Sequence, residues 1–145
     1  MAKSARTELE RQELYELLAA AEDMVFVEQA LDLALSGAPP TTTVPDMIIA
    51  ASHRHPEAAL NFAVGHWDRI ALLLEPNIRA RYVPRLIADA PDLKLIDKLD
   101  TFADANIPPS GRSDLRKAEA NIRYLAKIRN DRLPEVDEWL KSQGR

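Results

Sequence analysis

Apolar residues recur every three or four positions along almost the whole of this chain, and no stretch alternates as a strand would. Six or more segments carry this helical period. The first runs from about Ser4 to Ala21 and places Leu14, Leu17, Leu18 and Ala21 on one face. Asp23 has the chemistry of an N-cap for a second helix, which aligns Met24, Val27, Leu31, Ala34 and Leu35 before Gly37 stops it. A polar loop leads to a short apolar helix from Pro45 to about Ser52. Next comes the clearest pattern in the chain, opening at Pro56. Ala59, Phe62, Ala63, Trp67, Ile70 and Leu74 fall three or four apart for five turns, which predicts one helix ending before Glu75-Pro76.

A fifth helix is expected over about Asn77 to Ala88, kinked or restarted at Pro84. A sixth, Pro91 to Ala105, aligns Leu95 or Ile96 with Leu99 and with Phe102 or Ala103. The Ile107–Gly111 stretch, with its two prolines, breaks the chain. A long helix follows from about Ser113 to Asp131, with Leu115, Ala118, Ile122 and Leu125 inward, and Pro134 begins a last short helix through Trp139. Most of the ten prolines stand at plausible helix starts, where the first-turn N–H has no intrahelical partner to lose, or between helices. Linkers of two to eight residues between helices of this length imply antiparallel neighbours. The expected fold is therefore all-α: stacked antiparallel helical hairpins, a HEAT- or armadillo-like α-solenoid, in a single domain over residues 1–145. No strict repeat of fixed period accompanies it.

Composition narrows the function classes. Hydrophobic residues make up 46% and charged residues 29% of the chain, enough for a core and a solvated surface. The net charge of −4 offers no basic stripe, so nucleic acid is not an expected partner. Zero cysteines remove disulfides and thiolate ligands. No apolar run approaches the roughly 18 residues that span a bilayer, so no membrane partner is expected. The polar N-terminal stretch does not read as a secretory signal, which makes a cytoplasmic location the expectation.

The side chains that carry chemistry do not assemble into a recognisable reaction centre. The histidines are His53, His55 and His66, and none belongs to an H-E-x-x-H pair. That motif needs two imidazoles four residues apart on a helix to face one zinc ion. His53 and His55 lie two apart, about 200° around a helix, and read as a polar helix end leading into Pro56. His66 reads as a boundary residue beside the Trp67 stripe. No nucleophile elbow and no glycine-rich phosphate loop occurs, and Ser110-Gly111 reads as a turn before a helix. Asp97, Asp100 and Asp104 fall on one helix side as a solvated face rather than an acid–base pair. Arg79, Arg81 and Arg85 cluster with Tyr82 around Pro84, and Arg112, Arg116 and Arg123 lie along the long helix. Most such arginines are surface partners of Asp and Glu. Arg79, Arg81 and Arg85 are nonetheless candidate substrate-binding residues, since the guanidinium fork suits a peptide C-terminal carboxylate.

Two segments carry a resemblance. His55 to Leu74 reads HPEAALNFAVGHWDRIALLL, and Asn121 to Leu140 reads NIRYLAKIRNDRLPEVDEWL. The order Pro56, Ala59, Phe62, Trp67, the preceding EQALDLALSGAPPTTTVPDMI, then Asn121-Ile122-Tyr124 and Trp139-Leu140 resembles the last helices of large zinc aminopeptidases. The family is that of aminopeptidase N and the puromycin-sensitive aminopeptidase, gluzincin metallopeptidases, and the likeness covers roughly Leu14 to Leu140. It implies a non-catalytic C-terminal helical domain that forms a bowl over a preceding catalytic domain and limits which peptides enter. The family's zinc helix and its Gly-x-Met-Glu-Asn segment lie in earlier domains and have no counterpart here. The resemblance therefore carries over no catalytic and no metal-binding residue. Zinc is expected only in the parent enzyme, with peptides as indirect partners, and the chain alone is expected to be inactive.

An exposed face where the preceding helices would sit predicts self-association of the isolated domain. The alternative is a free-standing helical-repeat protein-binding module. Such a module needs polar caps at its ends, and Lys3, Arg6, Glu8, Glu10 and Arg11 on the first helix supply a charged outer face for one.

Overall fold

The computed structural model describes residues 7–144, and within them every regular element is helical, as the all-α expectation requires. The elements are α1 (Glu8–Ala19), α2 (Met24–Ala34), α3 (Val44–Ser52), α4 (Pro56–Gly65), α5 (Trp67–Leu73), α6 (Pro76–Ile87), α7 (Lys94–Asn106), α8 (Ser113–Lys127) and α9 (Leu133–Ser142). A 3-10 turn covers Pro109–Gly111 and a π turn covers Ile128–Arg132. The expected start of the first helix at Ser4, with Lys3 and Arg6, lies outside the described residues.

Local chemistry sets the helix starts. Thr7 Oγ1 accepts from the Glu10 N–H at 3.1 Å, and Asp23 Oδ1 accepts from the Val25 N–H at 2.9 Å, each satisfying a donor that α1 or α2 cannot. Prolines stand in the first turn of α3, α4, α6 and α9. After α2 the chain reverses at Gly37, whose φ of 86° lies in the left-handed region that a side chain disfavours.

Packing follows from the apolar faces. Helices α1, α3, α6 and α8 adjoin one another in a row. Helices α2 and α4 lie against that row and each other, and α7 closes it against α6 and α8. One continuous core results, with Met47, Ile48, Leu60, Ile70, Ile87, Leu99 and Ile122 fully buried. Tyr82, also buried, donates to the Pro45 carbonyl at 2.7 Å and so ties α6 to α3. Lys98 Nζ bonds Glu57 at 2.6 Å and Asn61 at 3.1 Å, joining α7 to α4. Trp67 meets Phe102 edge to face at 4.9 Å.

Four expectations need correction. The sixth helix starts at Lys94 and not at Pro91, the Lys94 N–H donating to the Asp92 carboxylate at 3.0 Å. The five-turn helix from Pro56 is two helices, broken at His66, where φ is −121° and ψ 24°. Its N–H bonds the Phe62 carbonyl, and its ring Nδ1 lies 3.0 Å from the same oxygen, which ends the α4 ladder there. On α1 the inward residues are Tyr15 and Ala19, not Leu17 and Leu18, which are 69% and 43% exposed. A large aromatic and an alanine one turn apart fit against α3, and that rotates the leucines outward. Finally, α8 does not end before a separate helix at Pro134. The π turn joins α8 to α9, with the Leu133 N–H donating to the Ile128 carbonyl. Pro134 lacks the N–H that a regular turn would direct at residue 130, and the widened turn lies where that bond is lost. Where the pattern leaves a choice on α7, both Leu95 and Ile96 and both Phe102 and Ala103 are buried, because α7 packs on two neighbours.

Candidate functional site

Of the six arginines singled out by the sequence, two share a groove. Arg81 and Arg85 are one turn apart on α6, exposed, and bordered across the groove by Asp114, Lys117 and Asn121 of α8. The groove has a volume of about 610 Å³. Ile78, Pro84 and Ala118 supply its apolar floor, while Pro84 itself is fully buried. Its walls are fixed from behind. Tyr82 is anchored on Pro45, and the Asn121 amide donates to the Ala88 carbonyl at 2.8 Å and to Asp89 at 3.1 Å, bonding α8 to the end of α6.

Electrostatics around Arg85 are mixed. Asp46 is held above the usual carboxylate range, first by desolvation and second by Glu16, with Arg85 pulling it down. The Tyr82 phenol is pushed far above its ordinary value, chiefly by burial. Lys117 reaches Asp114 at 3.5 Å, a loose pair. Neither Arg81 nor Arg85 makes a hydrogen bond or ion pair within the described residues. Two guanidiniums beside an apolar floor can hold an anion that carries an apolar neighbour, and a peptide carboxylate has that shape.

Arg79 does not join them. It is half-buried, and its Nε donates to the Leu74 carbonyl at 3.2 Å, closing the end of α5. Arg112 is likewise structural. Its guanidinium donates to the Ile107 and Ala103 carbonyls at 3.1 and 3.2 Å and to Asp104 at 2.9 Å, fastening the end of α7. Arg123 pairs with Glu119 at 3.3 Å, and Arg116 is exposed on the same helix. Sequence reasoning does not find Asp114, Lys117 and Asn121 as groove partners. Their spacing along one flank of α8 is visible in the chain, but the apposition of that flank to α6 is not.

The acidic face of α7 divides as well. Asp104 pairs with Arg112, and Asp100 bonds Glu119 of α8; Asp97 stands exposed. Glu119 is raised above its ordinary 4.5, first by desolvation, then by the hydrogen bond and charge of Asp100, with Arg123 opposing. The histidines serve helix ends. His55 Nε2 lies 3.1 Å from the Ala21 carbonyl oxygen, and the His66 ring lies 4.5 Å from that of Phe62. Among the described residues no group of three or more His, Cys, Asp or Glu could hold a metal ion. The residues described do not fit a zinc site.

A larger cleft of about 910 Å³ opens between α4, α5 and α7, lined by Trp67, Phe102 and Lys98. Its lysine is already held by Glu57 and Asn61, so the α6–α8 groove is the better anion site. No helix of the described residues is long and apolar enough to cross a membrane. Comparison with protein-family models, curated proteins and solved structures finds no match to this chain.

Proposed function

We propose that this chain is a non-catalytic helical domain of a larger zinc aminopeptidase, placed after the catalytic domain and shaping the cavity through which peptides reach it. The resemblance of the Pro56–Trp67 and Asn121–Leu140 segments is the first support. The observation that carries the proposal beyond resemblance is the outer face of α1 and α2. Leu9, Leu17, Met24, Val25 and Phe26 are exposed there, between 40% and 69%. A self-contained helical stack ends in a polar cap, whereas this end displays large apolar side chains. It suits a surface on which preceding helices of the same polypeptide rest. In this reading Arg81 and Arg85 face the peptide cavity and engage carboxylates, while zinc and the catalytic groups belong to the preceding domain.

The free-standing binding module is the second reading, favoured by the open Arg81–Arg85 groove, which would be its ligand site. One measurement separates the two. An antibody raised against this chain should detect, in source cells, a polypeptide several times larger than 16.2 kDa. Immunoprecipitates of it should hydrolyse aminoacyl anilides and lose that activity to a zinc chelator. A band near the mass of the chain itself would overturn the peptidase reading in favour of the module.

A further inference from the structure

The second long apolar surface of the molecule runs along α8 and α9. Tyr124, Val136 and Trp139 are 63%, 51% and 61% exposed, and no residue of α9 is buried. On a regular helix Ile128 and Leu133 would stand about 140° apart. The π turn changes that, since the bond from the Leu133 N–H to the Ile128 carbonyl brings the two into line. The stripe from Tyr124 through Ile128, Leu133 and Val136 to Leu140 therefore runs unbroken for about 25 Å at about 1.5 Å per residue.

Charge along the same helix is divided. Residues 127–132 hold Lys127, Arg129 and Arg132 against Asp131, a net of +2. Residues 133–142 hold Glu135, Asp137 and Glu138 against Lys141, a net of −2. A surface that is apolar along its length, basic in one half and acidic in the other is complementary to itself when reversed. We propose that two copies of this chain pair antiparallel along this stripe, about a two-fold axis near Leu133.

In that register Arg132 comes opposite Glu135 of the partner subunit, and Arg129 opposite Glu138 of the partner subunit. Parallel pairing would set like charge against like, and it would also align the helix dipoles unfavourably. Within one chain the Arg132–Glu135 pair at 3.4 Å is exposed on both sides, so exchanging partners costs little. The contact is isologous and closes at two copies. The apolar end at α1 and α2 is the other candidate for self-pairing, but over residues 7–28 Arg11 is the sole basic residue against seven acidic ones, a like-charge cost that pairing along α8 and α9 does not carry. Pairing along α8 and α9 does not depend on the peptidase reading.

Sedimentation of the 145-residue chain tests it. The mass should rise with concentration to twice 16.2 kDa and stop there. The double variant Val136→Asp, Leu140→Asp should stay monomeric with unchanged circular dichroism, while Leu17→Ser should pair like the parent chain. Because the chain has no cysteine, single introduced thiols report the direction. Leu133→Cys, at the axis, should oxidise readily to a covalent dimer, and Leu140→Cys should not. A chain monomeric at every concentration overturns the proposal and leaves the stripe to a different partner. So does association lost with Leu17→Ser, or rapid cross-linking at Leu140→Cys, which would mean a parallel pair.

Discussion

Helices α8 and α9 are two halves of one continuous rod, and they carry apolar residues at the same spacing. In α8, Leu115, Ala118, Ile122 and Ala126 are all buried against α6 and α7. In α9, Leu133, Val136 and Leu140 repeat the interval, and none is buried. Periodicity therefore identifies a face that could be covered, and tertiary placement alone decides whether the chain covers it. Most helical stability in proteins comes from such covering rather than from intrinsic propensity, so the two halves should respond very differently to truncation.

The largest contrast is in the apolar faces themselves. Ile122→Ala should lower unfolding stability by about 2–4 kcal/mol, through lost transfer energy and the cavity left behind. Val136→Ala, measured at concentrations too low for association, should change it by less than ~0.5 kcal/mol. Denaturant titration of both variants checks this. An equal cost at the two positions would mean that α9 packs on the body in solution.

The arginines allow a second contrast, between those that fasten helix ends and those that line the groove. Arg112→Met removes three donors from two carbonyls and a carboxylate, and should cost roughly 2 kcal/mol. Lysine should not restore it, having no planar fork to reach all three. Arg79→Met should cost about half as much, having one such bond. Thermal melts would show the ranking, and a neutral Arg112→Met would remove its role as the α7 fastener.

How much of this is legible in the sequence depends on the range of the interaction. Helix class, the proline starts of α3, α4, α6 and α9, the Asp23 cap and the Gly37 stop are local and stand as the residues imply, whereas the start expected at Pro91 falls at Lys94. The inward face of α1 escapes the pattern because Leu17 and Leu18 outweigh Tyr15 and Ala19 in hydrophobicity, while α3 leaves room for the latter pair. The break at His66 is hidden because its cause is a ring nitrogen turning back to the Phe62 carbonyl, a bond that apolar spacing does not encode. Among the candidate site residues, Arg79 precedes Tyr82 by three positions, so spacing alone puts it in the groove cluster. Its guanidinium nevertheless turns back to the Leu74 carbonyl. Sequence proximity groups three arginines, and helix geometry separates one.

The groove arginines should matter for binding and little for folding. Titrating a short peptide with a free C-terminus into the chain should shift amide resonances of α6 and α8. Arg81→Ala or Arg85→Ala should weaken that binding roughly tenfold, about 1.4 kcal/mol, as expected for one charged hydrogen bond. A C-terminally amidated peptide should lose binding similarly. Equal binding by the amidated form would show that the groove does not read a carboxylate.

The smallest effect sharpens the comparison within α8, since its packed side carries one acidic contact that opposes packing. Desolvation and Asp100 raise Glu119 above 4.5, so the folded chain holds that proton more tightly than the unfolded one. A group raised in this way contributes stability that is fully present below its unfolded value and is lost as pH rises through its folded value. The α7–α8 contact should accordingly tighten on acidification toward pH 4.5 and loosen toward neutrality. Glu119→Gln keeps a donor for Asp100 and removes the repulsion, while weakening the Arg123 pair. Its stability at neutral pH should rise on the order of 0.5 kcal/mol, the size of a like-charge neighbour contact. The gain should shrink as pH falls, because the native glutamate then carries its own proton. A gain that stays constant from neutral pH down to the ordinary glutamate value of 4.5 would show that Glu119 does not titrate against Asp100, and that Arg123 alone governs this contact.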